Sequence, residues 1–283
     1  MAQPLDPTTR DAIAERIRFY RDLGVTDLYR RAVDTAPADG VGADTGTDMG
    51  APGPASETRV SSTQPNFIGE EPAIPARKGF SSPPQSATVI PAAARPAALK
   101  LIREEIGDCT RCALHKGRNK LVFADGDPNA RLMFVGEGPG ADEDAQGLPF
   151  VGRAGQLLNN MITAMGLRRE EVYIANVVKC RPPGNRTPEP EEANTCMPFL
   201  LRQIDVVRPD VLVALGATAA TYLLGARQPL AGLRGRVHSV RGARLIVTYH
   251  PAYLLRDPRQ KKEAWADLQI AMKELGLKPP GRK

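Results

Sequence analysis

Four short apolar runs constrain the fold of this chain more than any other feature: ARLMFVGE (130–137), VYIANVVKC (172–180), VLVALGA (211–217) and RLIVTYH (244–250). None alternates apolar with polar residues as a half-exposed strand does, so each reads as a strand buried on both faces. Helical periodicity fills the intervals, in VGRAGQLLNNMITAMGL (151–167), PEEANTCMPFLLRQIDVV (190–207) and TAATYLLG (218–225). AALKLIREEIGD (97–108) precedes the first run as an amphipathic helix, and DPRQKKEAWADLQIAMKELG (257–276) follows the last. Strands alternating with helices predict an α/β fold, an open parallel sheet with helices on both faces. In such sheets ligands bind at the carboxyl ends of the strands. That rim comprises residues 136–150, 176–187, 216–218 and 249–256.

The pattern does not extend to the amino terminus. Residues 34–96 hold ten prolines among many Gly, Ser, Thr and Ala, with almost no periodic apolar positions. Such a segment cannot bury enough surface to offset its ordering entropy, so a disordered linker is expected there. Residues 1–33 read as a short helical segment, with Ile13, Ile17, Phe19 and Tyr20 at helical spacing after Asp6 or Thr8. It is too short to bury a core alone, which leaves a marginal helix or an element docking on a protein partner. The globular domain is expected over 97–283. No apolar run approaches the roughly 18–20 residues of a membrane span. The first 30 residues lack the apolar stretch of a secretory signal. The expected compartment is therefore the cytoplasm, with no membrane contact.

Charge is unevenly spread. Residues 1–96 carry 10 basic and 12 acidic side chains, whereas residues 97–283 carry 28 and 20. Within 227–262, nine bases (Arg227, Arg234, Arg236, Arg241, Arg244, Arg256, Arg259, Lys261 and Lys262) face one acid, Asp257. The excess suits a polyanion such as nucleic acid; it equally suits a solvated basic surface.

The turn after the first run reads GEGPGADEDAQGLPFVGRAGQLL. It is no P-loop, because no Gly-Lys-Ser/Thr follows. Gly136, Gly138 and Ala141 meet a loose dinucleotide pattern, but acids and a proline stand where a helix N-terminus should cradle a pyrophosphate. Gly136, Gly138 and Gly140 let the backbone approach a flat ligand closely. Glu137, Asp142, Glu143 and Asp144 disfavour a phosphate in the pocket itself. Phe150, on a loop before a helix, is either core or a platform on which a base stacks.

The four cysteines are Cys109-x2-Cys112, Cys180 and Cys196. In a chain expected in the cytoplasm they favour a metal or cluster site over disulfides. The residues themselves fit an iron–sulfur cluster or zinc, and His115 could complete a zinc site.

From about 97 to 276, nearly two-thirds of its length, the chain resembles the family 4 uracil-DNA glycosylases, the iron–sulfur type of bacteria and archaea. The resemblance rests on GEGPGADEDAQGLPFVGRAGQLL, NVVKCRPPGNRTPEPEEANTC, LVALGATAA, VTYHPAYLLR and the cysteine spacing. It implies a three-layer α/β/α sandwich with a four-stranded parallel sheet, and a structural [4Fe–4S] cluster on Cys109, Cys112, Cys180 and Cys196. It also implies a monomer that acts on uracil-containing DNA, in a bacterial cytoplasm and nucleoid-associated when on DNA. The activity implied is base excision repair: uracil is flipped out and its N-glycosidic bond hydrolysed, leaving an abasic site. A non-catalytic DNA-binding or polymerase-associated module on the same fold is the alternative.

Carried over residue by residue, the resemblance lines the uracil site with Gly136, Glu137 and Gly138. Phe150 stacks on the base, and Asn176 reads its O4 and N3–H edge. His250 stabilises the leaving anion at O2, while Glu137 or Glu143 stabilises the sugar cation or orients water. Leu254, Leu255 and Arg256 would enter the duplex where the base left. A related branch that bonds covalently to DNA carries a basic, His-containing insert after the second run; here RPPGNRTPEP stands in its place, so covalent capture is not expected.

Overall fold

A computed structural model describes residues 89–278. The expected helix in 1–33 and the expected linker up to residue 88 lie outside the described residues. The last of the linker is corrected: Ala92–Ala94 form a 3-10 turn, and helix α1 spans Arg95–Ile106 with Pro96 in its first turn. Proline suits that position, where its missing N–H leaves no helical bond unmade.

The core is built in chain order. Strand β1 is Asp125–Gly126 and β2 is Leu132–Gly136; α2 (Ala141–Gln146) and α3 (Arg153–Ala164) follow. Next come β3 (Tyr173–Asn176), α4 (Pro190–Val207), β4 (Val211–Leu215), α5 (Ala217–Leu224) and α6 (Leu230–Leu233). Strands β5 (Val237–Val240) and β6 (Ala243–Thr248), then α7 (Pro251–Arg256) and α8 (Lys261–Glu274), complete the order. The sheet runs β1-β3-β2-β4-β6-β5. Its centre, β3-β2-β4-β6, is parallel as expected, with Phe134 opposite Ile174 and Val213. Sequence reading misses the two antiparallel edges: β1 on β3, and β5 on β6. The second apolar run is also shorter as a strand than expected, ending at Asn176 rather than Cys180.

Side-chain alternation in the buried strands feeds two cores. Met133, Val135, Ala175, Leu212 and Leu245 pack toward α1, α4 and α5. Leu132, Phe134, Ile174, Val213 and Ile246 pack toward α3, α7 and α8. Each such aliphatic or aromatic side chain contributes about 1.5–3 kcal/mol on burial. Continuous apolar strands thus require helices on both faces. After β2 the chain adds β3 on one side, then crosses back to place β4 on the other. That reversal opens a crevice beyond the carboxyl end of β2. Among the described residues no helix is long and apolar enough to cross a membrane.

Candidate active site

A cavity of about 530 Å³ opens at this crevice, where β2, β3 and β6 end. Its walls bring together Glu137, Gly138, Glu143, Phe150, Asn176, His250 and Arg256. Gly136 lies where Phe150 and Asn176 meet: a Cβ there would collide with Asn176 Oδ1 and stand 2.6 Å from the Phe150 ring. Only glycine leaves room for both side chains.

Phe150 is buried, and its backbone is left-handed, at φ 53°. A bulky residue pays roughly 1–2 kcal/mol for that conformation. The outcome is a ring turned into the cavity wall, its centroid 5.6 Å from that of His250.

Asn176 ends β3 and is 2% exposed. Its side-chain Oδ1 is buried and accepts no hydrogen bond. An unpaired buried acceptor costs about 1–3 kcal/mol, so a donor entering the cavity would recover that penalty. The backbone carbonyl of Asn176 is pinned by Lys179 Nζ at 2.8 Å, which also donates to Gln203 Oε1 at 2.6 Å. Burial pushes the Lys179 ammonium down to about 8. Sequence reading overlooks Lys179, although a lysine inside the apolar run NVVKC signals a buried partner.

His250 precedes α7, and its Nδ1 accepts from the Ala252 N–H at 3.1 Å. Burial above all, with help from the Arg256 guanidinium, pushes the imidazole down to about 4. The ring is therefore neutral near pH 7. With Nδ1 accepting, its proton sits on Nε2.

The two candidate carboxylates differ in their commitments. Glu143 Oε2 accepts from the Gly140 N–H at 3.0 Å; Oε1 accepts from the Val151 and Gly152 N–H groups at 2.9 and 3.0 Å. That side chain straps the two ends of the loop carrying Phe150. Glu137 leaves more of its carboxylate available: Oε2 accepts from the Thr218 hydroxyl at 2.5 Å.

The expected insertion segment Leu254–Leu255–Arg256 is part of helix α7 rather than a loop. Leu254 is 1% exposed and packs in the core, so it cannot enter a duplex without unfolding its surroundings. Leu255 is 37% exposed, and Arg256 is exposed on the cavity wall. The basic stretch is also less available than its composition suggests. Arg234 pairs with Asp267 at 2.7 Å, Arg244 with Glu274 at 2.5 Å and Arg259 with Asp257 at 2.8 Å, and Arg241 pairs with Asp205. Three of those acids lie outside the stretch, where a local charge count does not see them.

The cysteines meet at a second cavity. Cys109, Cys112, Cys180 and Cys196 line it with Ile106, Leu121 and Phe199. All four are free thiols. Arg118 donates to Cys180 Sγ at 3.1 Å and Arg111 to Cys109 Sγ at 3.4 Å. Burial pushes the Cys196 thiol up to about 11 and raises Cys112 and Cys180. Four sulfurs around one apolar cavity, approached by two cations, form a donor set suited to a thiolate-bound metal group. No three His, Cys, Asp or Glu among the described residues are arranged around a single metal ion. His115 does not line the cavity; its Nδ1 is hydrogen-bonded to the Cys112 carbonyl at 2.7 Å.

Comparison with known proteins identifies the family. The family model of the uracil DNA glycosylase superfamily matches residues 123–269. A type-4 uracil-DNA glycosylase of Thermotoga maritima is 49% identical over 161 residues, covering 56% of this chain and 84% of the relative. One of Archaeoglobus fulgidus is 42% identical over 187 residues, covering 63% of this chain and 94% of the relative. One of Pyrobaculum aerophilum is 44% identical over 180 residues, covering 61% and 92%. With relatives matched over most of their length and the family model matching just over half of this chain, the protein belongs to the type-4 branch of the uracil DNA glycosylase superfamily.

Proposed function

We infer that this protein is a DNA repair hydrolase that excises uracil: it cleaves the N-glycosidic bond and leaves an abasic site. The observation that carries the reading is the orphan Oδ1 of Asn176, buried in the wall of a cavity it shares with an aromatic ring and a neutral histidine.

A flipped uracil offers a flat face, an N3–H donor and two carbonyl oxygens. Extruding it from the duplex costs a few kcal/mol. Stacking on Phe150 returns about 1–3 kcal/mol of that. Asn176 Oδ1 accepts the N3–H while its Nδ2 donates to O4. Cytosine presents the opposite pattern and leaves both groups of the amide mispaired, which supports discrimination. As the bond breaks, negative charge gathers on the base. The Nε2–H of His250 donates to O2, and because the ring is neutral it does so without surrendering a proton. The sugar becomes oxocarbenium-like and attracts a carboxylate. Glu137, oriented by Thr218, is the better placed to stabilise it or to orient water; Glu143 keeps the loop closed.

The cysteines would hold a [4Fe–4S] cluster. Cys109 and Cys112 lie between α1 and β1, Cys180 follows β3, and Cys196 lies on α4. When bound, the cluster supplies structural cross-linking of those three segments rather than a redox step. The apolar lining and the guanidinium contacts to two sulfurs support this assignment.

The test is release of free uracil from a defined oligonucleotide by the full chain under single-turnover conditions, beside a matched cytosine oligonucleotide. Uracil release leaving an alkali-labile abasic site is expected. Tight binding without release would favour the non-catalytic alternative.

A further inference from the structure

We propose that Arg169, outside the cavity, is the positioning residue that holds Phe150 in its strained, ring-inward conformation. The proposal rests on the uracil reading above. Arg169 lies in a 3-10 turn just before β3, and its side chain reaches back to the Phe150 loop. Four of its five N–H groups donate hydrogen bonds, and Nη2 also lies against the Asp125 carboxylate as an ion pair. Nη1 donates to the Phe150 carbonyl at 3.1 Å and to Asn159 Oδ1 at 2.8 Å. Nη2 donates to the Pro149 carbonyl at 2.6 Å and meets Asp125 Oδ2 at 2.9 Å, and Nε also donates to Asp125 Oδ2 at 2.9 Å.

This set of bonds has a direction. Two consecutive carbonyls, on either side of the left-handed φ of Phe150, are fixed by one planar guanidinium. A lysine cannot reproduce that fork, because its donors radiate from a single atom. The guanidinium is fixed in turn by Asp125, which β1 pairs with Ile174 of β3, two residues before Asn176. One side chain therefore couples the stacking wall of the pocket to the strand that carries the base-reading amide. Gly155 completes the seat: a Cβ there would collide with the Phe150 carbonyl, so the loop lies flat on the first turn of α3.

The experiment uses the full chain and the variants Arg169→Lys, Asp125→Asn, Phe150→Ala and Arg169→Lys/Phe150→Ala. Single-turnover uracil release should slow about 10- to 100-fold in Arg169→Lys, the size expected when a reacting group is misplaced by an ångström. In the Phe150→Ala background the same change should cost less than about threefold, because the ring that Arg169 positions is gone. Asp125→Asn should slow release in the same direction but less, and it serves if Arg169→Lys does not fold. Equal slowing in both backgrounds, or wild-type rates in both Arg169→Lys and Asp125→Asn, would overturn the proposal. Fluorophenylalanine labelling with 19F NMR reads the clamp without catalysis. The Phe150 signal, identified by its loss in Phe150→Ala, should broaden or split in Arg169→Lys and Asp125→Asn, and an unchanged signal overturns the proposal. Wild-type protein that releases no uracil yet shows the NMR change would instead refute the functional reading.

Discussion

Asn176 and Cys180 stand four residues apart on one segment, yet they face cavities of opposite character. The Asn176 cavity mixes polar and apolar walls, and most of its working groups are already restrained. Lys179 pins the Asn176 backbone, Ala252 orients His250, Thr218 orients Glu137, and Glu143 straps the loop. The Cys180 cavity has apolar walls and joins segments that are distant in sequence through side chains whose burial favours the neutral thiol. The first is preorganised by the chain itself; the second is a donor set whose cohesion comes from what it binds. Mutations should therefore fail differently on the two sides of Lys179.

The largest effect is expected at the cysteines. Cys196→Ser should lose the broad visible absorption of an iron–sulfur chromophore, much of the folded fraction by circular dichroism, and uracil release with it. A folded, fully active Cys196→Ser protein would erase the contrast.

Next in size is His250→Ala. Its fold should persist, while single-turnover release falls roughly 100-fold or more and DNA affinity changes little. The pH dependence sharpens this. Native His250 titrates near 4, below the ordinary value of about 6.5. An unfolded chain therefore takes up a proton between those values that the native chain refuses. His250 thus makes the fold less stable as pH falls from about 6.5 toward 4, and has no such effect above. Wild-type release should show no His250 titration between pH 5.5 and 8. A rate falling with a midpoint near 6.5 would mean that the ring is not neutral at work.

The smallest effect on the molecule, though not on its choice of base, is expected of Asn176→Asp. The carboxylate accepts from the cytosine amino group and repels uracil O4. The ratio of uracil to cytosine release, which is independent of the folded fraction, should drop by about tenfold or more. An unchanged ratio would take base reading away from this side chain.

Much of this was legible in the residues, for identifiable reasons. Leu132–Gly136 and Val211–Leu215 are legible because burial on both faces writes itself as an unbroken apolar run, and Ala243–Thr248 nearly so, with only Arg244 exposed. The edges are not legible: β1 is Asp125–Gly126, too short for any period, and β5 carries an exposed Val237 and a half-buried His238. Glu143 and Glu137 look alike in sequence, and only hydrogen bonds separate the loop strap from the less committed carboxylate. Leu254 and Leu255 are adjacent and chemically identical, yet the turn of α7 buries one and exposes the other. The left-handed φ of Phe150 has no sequence signal, because neither glycine nor asparagine marks it.

The ion pairs along 227–262 have a thermodynamic consequence for the encounter with DNA. A cation already neutralised by a carboxylate of its own protein displaces few counterions from a phosphate backbone. Arg227, Arg236, Arg256 and Lys262 form no ion pair among the described residues, whereas Arg234, Arg241, Arg244 and Arg259 do. Each phosphate met on duplex DNA steepens the fall of log affinity with log salt by about 0.9. The salt dependence of binding thus counts the cations the fold has left uncommitted, not the nine written in the sequence.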